Sequence, residues 1–573
     1  MSIDPITAEV VLSRLRETTQ SMAHALFHSG YSPILRESQD GTAGLTDAAG
    51  RVIMVGGGLQ YHSLLYTQAV GAVRERYPPE AMREGDAFVS NDPYKAGNSH
   101  VPDTVVATPV FYRGAIIAFG VSVAHKADVG GLVPGSSGAA AREIFHDGLL
   151  LPPVRVWSDG AFNPEIEDII RNNSRAPDVV IGDLRGQIGA TRLGAERLVA
   201  LSDEYGVETV RAAMGDLLRR TTERVRAAFV DWPDGSHDGE GWLDHDGADT
   251  SKRVRIHVRA TKAGDRLSLD FSGCDAQTAG PVNTPGATAR AVSMQAVLAA
   301  SDPTIPMNSG AFEAVEFVVP PGRVVSPQFP ATVNHYFPTS HLVYNCVLAA
   351  LGRFNPARAV APSGLGTGAI AIGYSKGRAG KATVQYELKI SSLGGTSDHD
   401  GAAMVLPMNH FAPGTPIEVV ETEYPAMVTR YDVSLDSAGA GRQRGGIGYV
   451  REYRFLTDCI LTARTSNHKN AAWGLAGGKG PAPSRTTIRG ADGISEDMDV
   501  METRHVGAGV TLTLSQSGGG GYGDPFTRPA ELVLRDVRDG YVSSAAAERE
   551  YGVVFDNGGE IDESATAERR SWH

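Results

Sequence analysis

TVVATPVFYRGAIIAFGVSVA, residues 104–124, holds two runs of valine, isoleucine, threonine and aromatic residues hinged at Arg113-Gly114. Such runs around an X-Gly dipeptide predict a β-hairpin with strands Thr104–Tyr112 and Ala115–Ala124. With the turn centred there, facing residue numbers sum to about 227, so Asp103 faces Ala124 and lies diagonal to His125. Upstream, the spacing predicts a helix: Asp4 caps it, Pro5 suits its first turn, Val11, Leu15, Met22 and Leu26 share a face, and Gly30 stops it. A short strand follows at Arg51–Val55.

Downstream, residues 163–232 turn helical, with LRGQIGATRLGAERLVALSDEYG and VETVRAAMGDLLRRTTERVRAAF mixing apolar and charged positions at three- and four-residue spacing. WPDGSHDGEGW (232–242) breaks the pattern. VRIHVRA and DRLSLDFSG then alternate with period two, as antiparallel strands do. Two more helices are expected near Pro285–Ala300 and Thr339–Arg353. From about Gly364 the chain reads as glycine-punctuated strand and loop. The predicted class is mixed α+β, rich in antiparallel sheet with helical segments. Its regions are a metal-site α/β part (1–160), a helical part (161–235), a mixed α/β part (236–363) and a β-rich part (364–573).

Composition limits the function. A chain of 573 residues exceeds what one core serves. The net charge, 53 − 66 = −13, argues against a broad nucleic-acid face. No run approaches the ~18 apolar residues of a membrane span, and MSIDPITAEVV lacks the basic and apolar stretches of a secretory leader. Three scattered cysteines offer neither a disulfide framework nor a zinc knuckle. The expectation is a soluble cytoplasmic protein without membrane or nucleic-acid partners.

The richest chemistry lies in NDPYKAGNSHVPD (Asn91–Asp103), AHKADVGG (Ala124–Gly131) and EIFHDG (Glu143–Gly148). The open end of the hairpin gathers His100, Asp103 and His125, donors suited to zinc, manganese or iron. A fourth donor could be Asp40, Asp128 or His146. Phosphate-binding patterns fail in detail. Lys381 is followed by Ala382 and Lys479 by Gly480, where a Walker loop needs serine or threonine. GGGGYGDP (Gly518–Pro525) has no lysine and reads as a tight structural loop. Gly135-Ser136-Ser137-Gly138 lacks a base partner for a serine nucleophile, and Cys346 sits on an apolar helix face.

Seven landmarks, in order along the chain, carry a resemblance: RESQDGTAGLTDAAGRV (Arg36–Val52), NDPYKAGNSHVPD, AHKADVGG, EIFHDGLLLPPV (Glu143–Val154), GDLRGQIGATRLGAERL (Gly182–Leu198), DSAGAGRQRGGIG (Asp436–Gly448) and GGGGYGDP. Together they resemble the hydantoinase B/oxoprolinase family, which includes subunits of ATP-dependent hydantoinases and caprolactamase and, more distantly, of acetone and acetophenone carboxylases. The resemblance implies ATP-driven hydrolysis of a cyclic amide (a lactam, hydantoin or 5-oxoproline), with ATP-Mg bound by an A-type partner subunit and two copies of each chain. It implies a divalent metal, zinc before manganese or iron, on Asp40, His100, Asp103 and His125. Asp128 and His146 would then orient the ligand imidazoles, and one of them would act as general base. The chain departs from the family at His146, at NHYFPTSH (Asn334–His341) and at LGGTSDHDG (Leu393–Gly401), the latter two being candidate walls of the substrate pocket. Two other readings remain: a ketone carboxylase subunit, and a non-catalytic scaffold with a structural metal.

Overall fold

The computed structural model describes residues 4–366, 368–405 and 413–571. The hairpin forms, one residue longer on each strand than predicted. Arg113 and Gly114 both take positive φ (49° and 82°), as the type I′ turn favoured by strand twist requires. One detail corrects the predicted register. Tyr112 faces Ala115 and Phe111 faces Ile116, but Val110 faces Ala118, so Ile117 is an extra residue. This bulge slides the rest of the ladder by one position, and Asp103 faces His125 directly.

The hairpin is the centre of a seven-stranded antiparallel sheet: β1 (Gly41–Asp47), β2 (Val52–Gly56), β3 (Ala87–Ser90), β4 (Asp103–Tyr112), β5 (Ala115–His125), β6 (Val154–Ser158) and β7 (Ala161–Phe162). Its spatial order is β2-β1-β5-β4-β3-β6-β7. Strand β5 therefore lies between β1 and β4. The Pro5–His28 helix, capped by Asp4 as expected, and the Pro177–Tyr205 helix pack on this sheet through Leu15, Met22, Leu45 and Ala190. The fit is close: a Cβ on Gly120 of β5 would stand 2.6 Å from the carbonyl oxygen of Thr191.

A second sheet comprises β8 (Gly235–Leu243), β9 (Val254–Ala263), β10 (Arg266–Asp270) and β11 (Val315–Val318), with β11 parallel to β10 and the other pairs antiparallel. The buried Gly286–Ala300 and Tyr336–Leu351 helices share its core. The remaining strands are β12 (Gly368–Tyr374), β13 (Thr383–Lys389), β14 (Ala426–Val433), β15 (Tyr449–Phe455), β16 (Cys459–Arg464), β17 (Arg485–Arg489), β18 (Ser495–Asp497), β19 (Met501–Val506) and β20 (Thr511–Ser515). They form two sheets, β13-β12-β16-β19 and β14-β15-β20-β17-β18, around a common apolar core. Among the described residues the class is mixed α+β with four antiparallel-rich sheets, and no described helix is long and apolar enough to cross a membrane.

The end of the chain differs from the strand and loop expected there. Ala530–Arg538, Ser544–Tyr551 and Glu563–Ser571 are helices, the second capped by Ser543. Leu532, Val533 and Val537 supply the three- and four-residue spacing, in segments too short to stand out beside the glycine-rich stretch before them. The glycine run itself is a layer of stacked backbone: a Cβ on Gly519 would lie 1.9 Å from the Leu393 carbonyl oxygen, and one on Gly521 2.0 Å from that of Ala440.

Candidate metal centre

Residues facing one another on adjacent strands point to the same side of a sheet. At the end of β4, β5 and β1 this rule collects three polar side chains. Asp103 faces His125, and the pairing of Gly41 with Ala124 brings Asp40 to the other flank of His125, whose N–H donates to the Asp40 carbonyl at 3.1 Å. His100 arrives from the loop before β4, where Asp103 N–H donates to its carbonyl. Asp103 is 1 %, His125 2 % and His100 4 % exposed.

Three donor atoms make a nearly equilateral triangle. His100 Nε2 lies 3.2 Å from His125 Nδ1 and 3.2 Å from Asp103 Oδ1, and His125 Nδ1 lies 3.3 Å from Asp103 Oδ1. Donors bound to one ion at about 2.0–2.1 Å stand about 3.3 Å apart in a tetrahedron. The set therefore fits a divalent ion. Two buried atoms beside it, Asp103 Oδ2 and His125 Nε2, have no hydrogen-bond partner among the described residues. His100 Nδ1 faces the Asn334 carbonyl at 3.4 Å. A carbonyl only accepts, so Nδ1 carries a proton, and with a cation in the triangle Nε2 would turn its lone pair to it. The Tyr336 ring against His100 and the Tyr386 ring against His125, with centroids 4.9 and 4.4 Å apart, fix the imidazole planes.

The electrostatics suit a cation. Burial alone would raise Asp103, but the imidazoles of His100 and His125 hold it well below the usual carboxylate range. Asp40 lies outside the tight triangle and lines the same cavity. Burial raises it to about 7, helped by the Asp103 charge and opposed by His125. Two acids so close leave a charge imbalance that a divalent ion relieves. The cavity is small, about 30 Å³, and is walled by Tyr61, Asn334, His335, Tyr336, Tyr386 and Arg464 among others.

Two residues expected near the ligands are elsewhere. The Asp128 carboxylate accepts from the backbone N–H groups of Gly130, Gly135 and Arg175 and from the Arg175 guanidinium. All its capacity goes into holding a loop. His146 is about one-third exposed and accepts from the Arg142 N–H, and neither residue lines the cavity. Sequence proximity to His125 is a poor guide here, because the chain turns away from the sheet after β5. The support comes instead from Asn334. It accepts from Arg464 at both its carbonyl (2.7 Å) and its side-chain oxygen (2.6 Å), and its amide donates to the Ser136 carbonyl (2.6 Å) and to Asp147 (3.3 Å). Asn334 opens NHYFPTSH, a candidate pocket wall from the sequence, so a signal for it exists. Arg464, Tyr386 and Tyr61 give none, being ordinary strand and short-helix residues until the sheets come together.

Fold and site define a class: a multi-sheet α+β chain with a buried His/Asp cluster at the open end of a hairpin and no Walker loop in its sequence. The chain belongs to the hydantoinase B/oxoprolinase family, whose model matches residues 4–525. It is similar to a protein of Pseudomonas sp. (strain NS671) named as the B-type subunit of a D-/L-hydantoinase, 33% identical over 99% of this chain and 98% of that one. The crystal structure of ATP-dependent caprolactamase from Pseudomonas jessenii matches with a TM-score of 0.92 and 28% identity, covering 100% of both chains. The nucleotide-free structure of acetone carboxylase shares the fold, with a TM-score of 0.92 and 19% identity over 99% of this chain and 83% of that one.

Proposed function

We propose that this chain is the metal-holding subunit of an ATP-dependent cyclic amide hydrolase, opening a lactam, hydantoin or 5-oxoproline ring with an ATP-binding A-type subunit. The reading rests on the buried His100–Asp103–His125 triangle in a chain that matches hydantoinase and caprolactamase subunits from end to end. A planar amide is a poor electrophile, and ATP-Mg in the partner would activate its carbonyl. A divalent ion, zinc before manganese or iron, would bind His100 Nε2, Asp103 Oδ1 and His125 Nδ1 with Asp40 as fourth donor, supplying Lewis acidity and a water of lowered pKa.

The chain's own residues prepare the rest. Asn334 keeps the Nδ1 proton on His100, and the tyrosine rings exclude water from the imidazoles. Tyr61 and Tyr336 share one hydrogen bond between their hydroxyls at 3.1 Å. One of them donates to the other, which leaves the second O–H free to donate to a carbonyl oxygen that gains charge. Burial raises both phenols well above 10, so they stay donors throughout the working pH range.

Elemental analysis of the wild type beside His100→Ala and Asp103→Ala tests the site. About one equivalent of metal in the wild type and none in folded variants is expected. Turnover with the partner, ATP and labelled bicarbonate tests the reaction. Ring opening without label supports hydrolysis, and label in the product means a carboxylase. If His100→Ala keeps full turnover in an assembled complex, the metal is a structural element of a scaffold.

A further inference from the structure

The metal cavity is too small for the substrate just proposed. Its volume of about 30 Å³ has room for roughly two water molecules. It holds a reacting carbonyl and no ring. A cleft of about 550 Å³ lies elsewhere on the molecule, and the register of the β13-β12-β16-β19 sheet ties the two together. Ala369 faces Leu388 on β13 and Arg464 on β16, and this row borders the metal cavity. Four residues further along, Gly373 faces Val384 and Ile460, and Ile460 faces His505 on β19; this second row floors the cleft. An even offset keeps both rows on one face, roughly 13 Å apart at ~3.3 Å per residue.

A single segment separates them. Pro134–Ser136 lies on that face directly after the loop that leaves β5. A Cβ on Gly373 would stand 2.2 Å from the Pro134 ring, and one on Gly135 2.6 Å from the Ala371 side chain. The far side of the segment reaches the metal cavity, since the Ser136 carbonyl accepts from Asn334, whose own carbonyl meets His100. Its near side is anchored by Asp128, which holds Gly135 N–H and the guanidinium of Arg175 at the cleft wall. The position of this segment therefore links the cleft to the ligand His100.

We propose that the cleft seats the ring substrate, a small and mainly hydrocarbon ring with one amide edge, and that Pro134–Ser136 is the partition it passes to present its carbonyl to the metal cavity. The cleft's chemistry matches that class. Its floor is apolar, from Pro134, Val384 and Ile460, and its polar groups Asp458 and His505 offer hydrogen bonds to an amide edge. The Arg175 guanidinium is spoken for by Asp128 and the Gly131 carbonyl, so it is poorly placed to bind a phosphate. The identity of the ring as substrate rests on the proposed function; the seat itself does not.

The test uses the complex of this chain with its partner subunit, loaded with metal. Crystals are soaked with δ-valerolactam and with ε-caprolactam, and affinity is measured by calorimetry. Ala382→Trp and His505→Trp place an indole in the cleft from exposed rim positions, leaving the core untouched. The expected result is ring density in the cleft and affinity lowered by about tenfold or more in both variants, with metal content unchanged. Ring density only elsewhere, partner-subunit protein filling the cleft, or wild-type affinity in both variants overturns the proposal. Ring binding needs no turnover, so a failure of ATP-driven ring opening would strike the proposed function and leave this result separately legible.

Discussion

At the scale of single residues, the site depends on how a carbonyl is held. Asn334→Ala keeps the carbonyl that His100 faces but loses the amide anchors to Ser136 and Asp147 and one of its two contacts with Arg464. Metal affinity, read by competition with a chromophoric chelator, is expected to fall about 10–100-fold with the fold retained. A second residue bears on stability. Burial lowers His341 to about 3. Above pH 6.5 neither the native nor the unfolded chain protonates it, and this contribution is complete. As pH falls from 6.5 to 3 the unfolded chain takes up a proton that the native chain refuses, costing roughly 1.4 kcal/mol per pH unit. The urea midpoint of His341→Gln is therefore expected to fall less steeply than that of the wild type between pH 6.5 and 5. Parallel curves would refute the assignment. The residue types of the cluster were legible in the sequence because chelation needs few kinds of donor. Asp128 and His146 share those types, and only the path of the chain beyond β5 tells them apart.

Between residues and the molecule lie the elements, and here local rules went far. Asp4 and Pro5 start the first helix, and Arg113-Gly114 turns the hairpin, because caps and turns are decided by neighbours in sequence. The Ile117 bulge escaped the same reading, since an extra residue leaves no mark in an apolar run, yet it sets Asp103 opposite His125. The three C-terminal helices escaped through shortness. One contact between elements gives an expected outcome. Gly120→Ala drives a methyl into the Thr191 carbonyl and pushes the Pro177–Tyr205 helix off the sheet. A loss of about 1–3 kcal/mol is expected by chemical denaturation. A neutral substitution would mean the helix yields without cost.

At the scale of the whole molecule, the long-range clasps matter. Arg528 is fully buried and forks onto Asp400 at 2.7 Å through both terminal nitrogens, with Asp536 at 2.8 Å. It ties the C-terminal helices to a loop more than a hundred positions earlier in the chain. Arg528→Met leaves Asp400 and Asp536 to share the remaining guanidinium, that of Arg444, and is expected to cost about 3 kcal/mol. Limited proteolysis should then release a fragment from within residues 524–571, and an intact tail in the variant would count against the clasp. None of this was legible beforehand. Walls such as Arg464 and Tyr386 meet His100 and His125 only after two separate sheets close on each other, and pattern within a window carries no information about that event.

The row Asp40–His125–Asp103 has a kinetic meaning. Asp103 and His125 end the two strands of one hairpin, whereas Asp40 stands just before β1, more than sixty positions earlier, so the hairpin alone offers an incomplete set of donors. If the cluster holds an ion, a growing chain would complete the set only once β1 pairs with β5, and full capture would be a late event that reports finished pairing. Because binding then favours the native form alone, an ion at a thousandfold over its dissociation constant would add about 4 kcal/mol. Damage to the sheet far from the cluster, as in Gly120→Ala, should accordingly be repairable by raising the concentration of free metal.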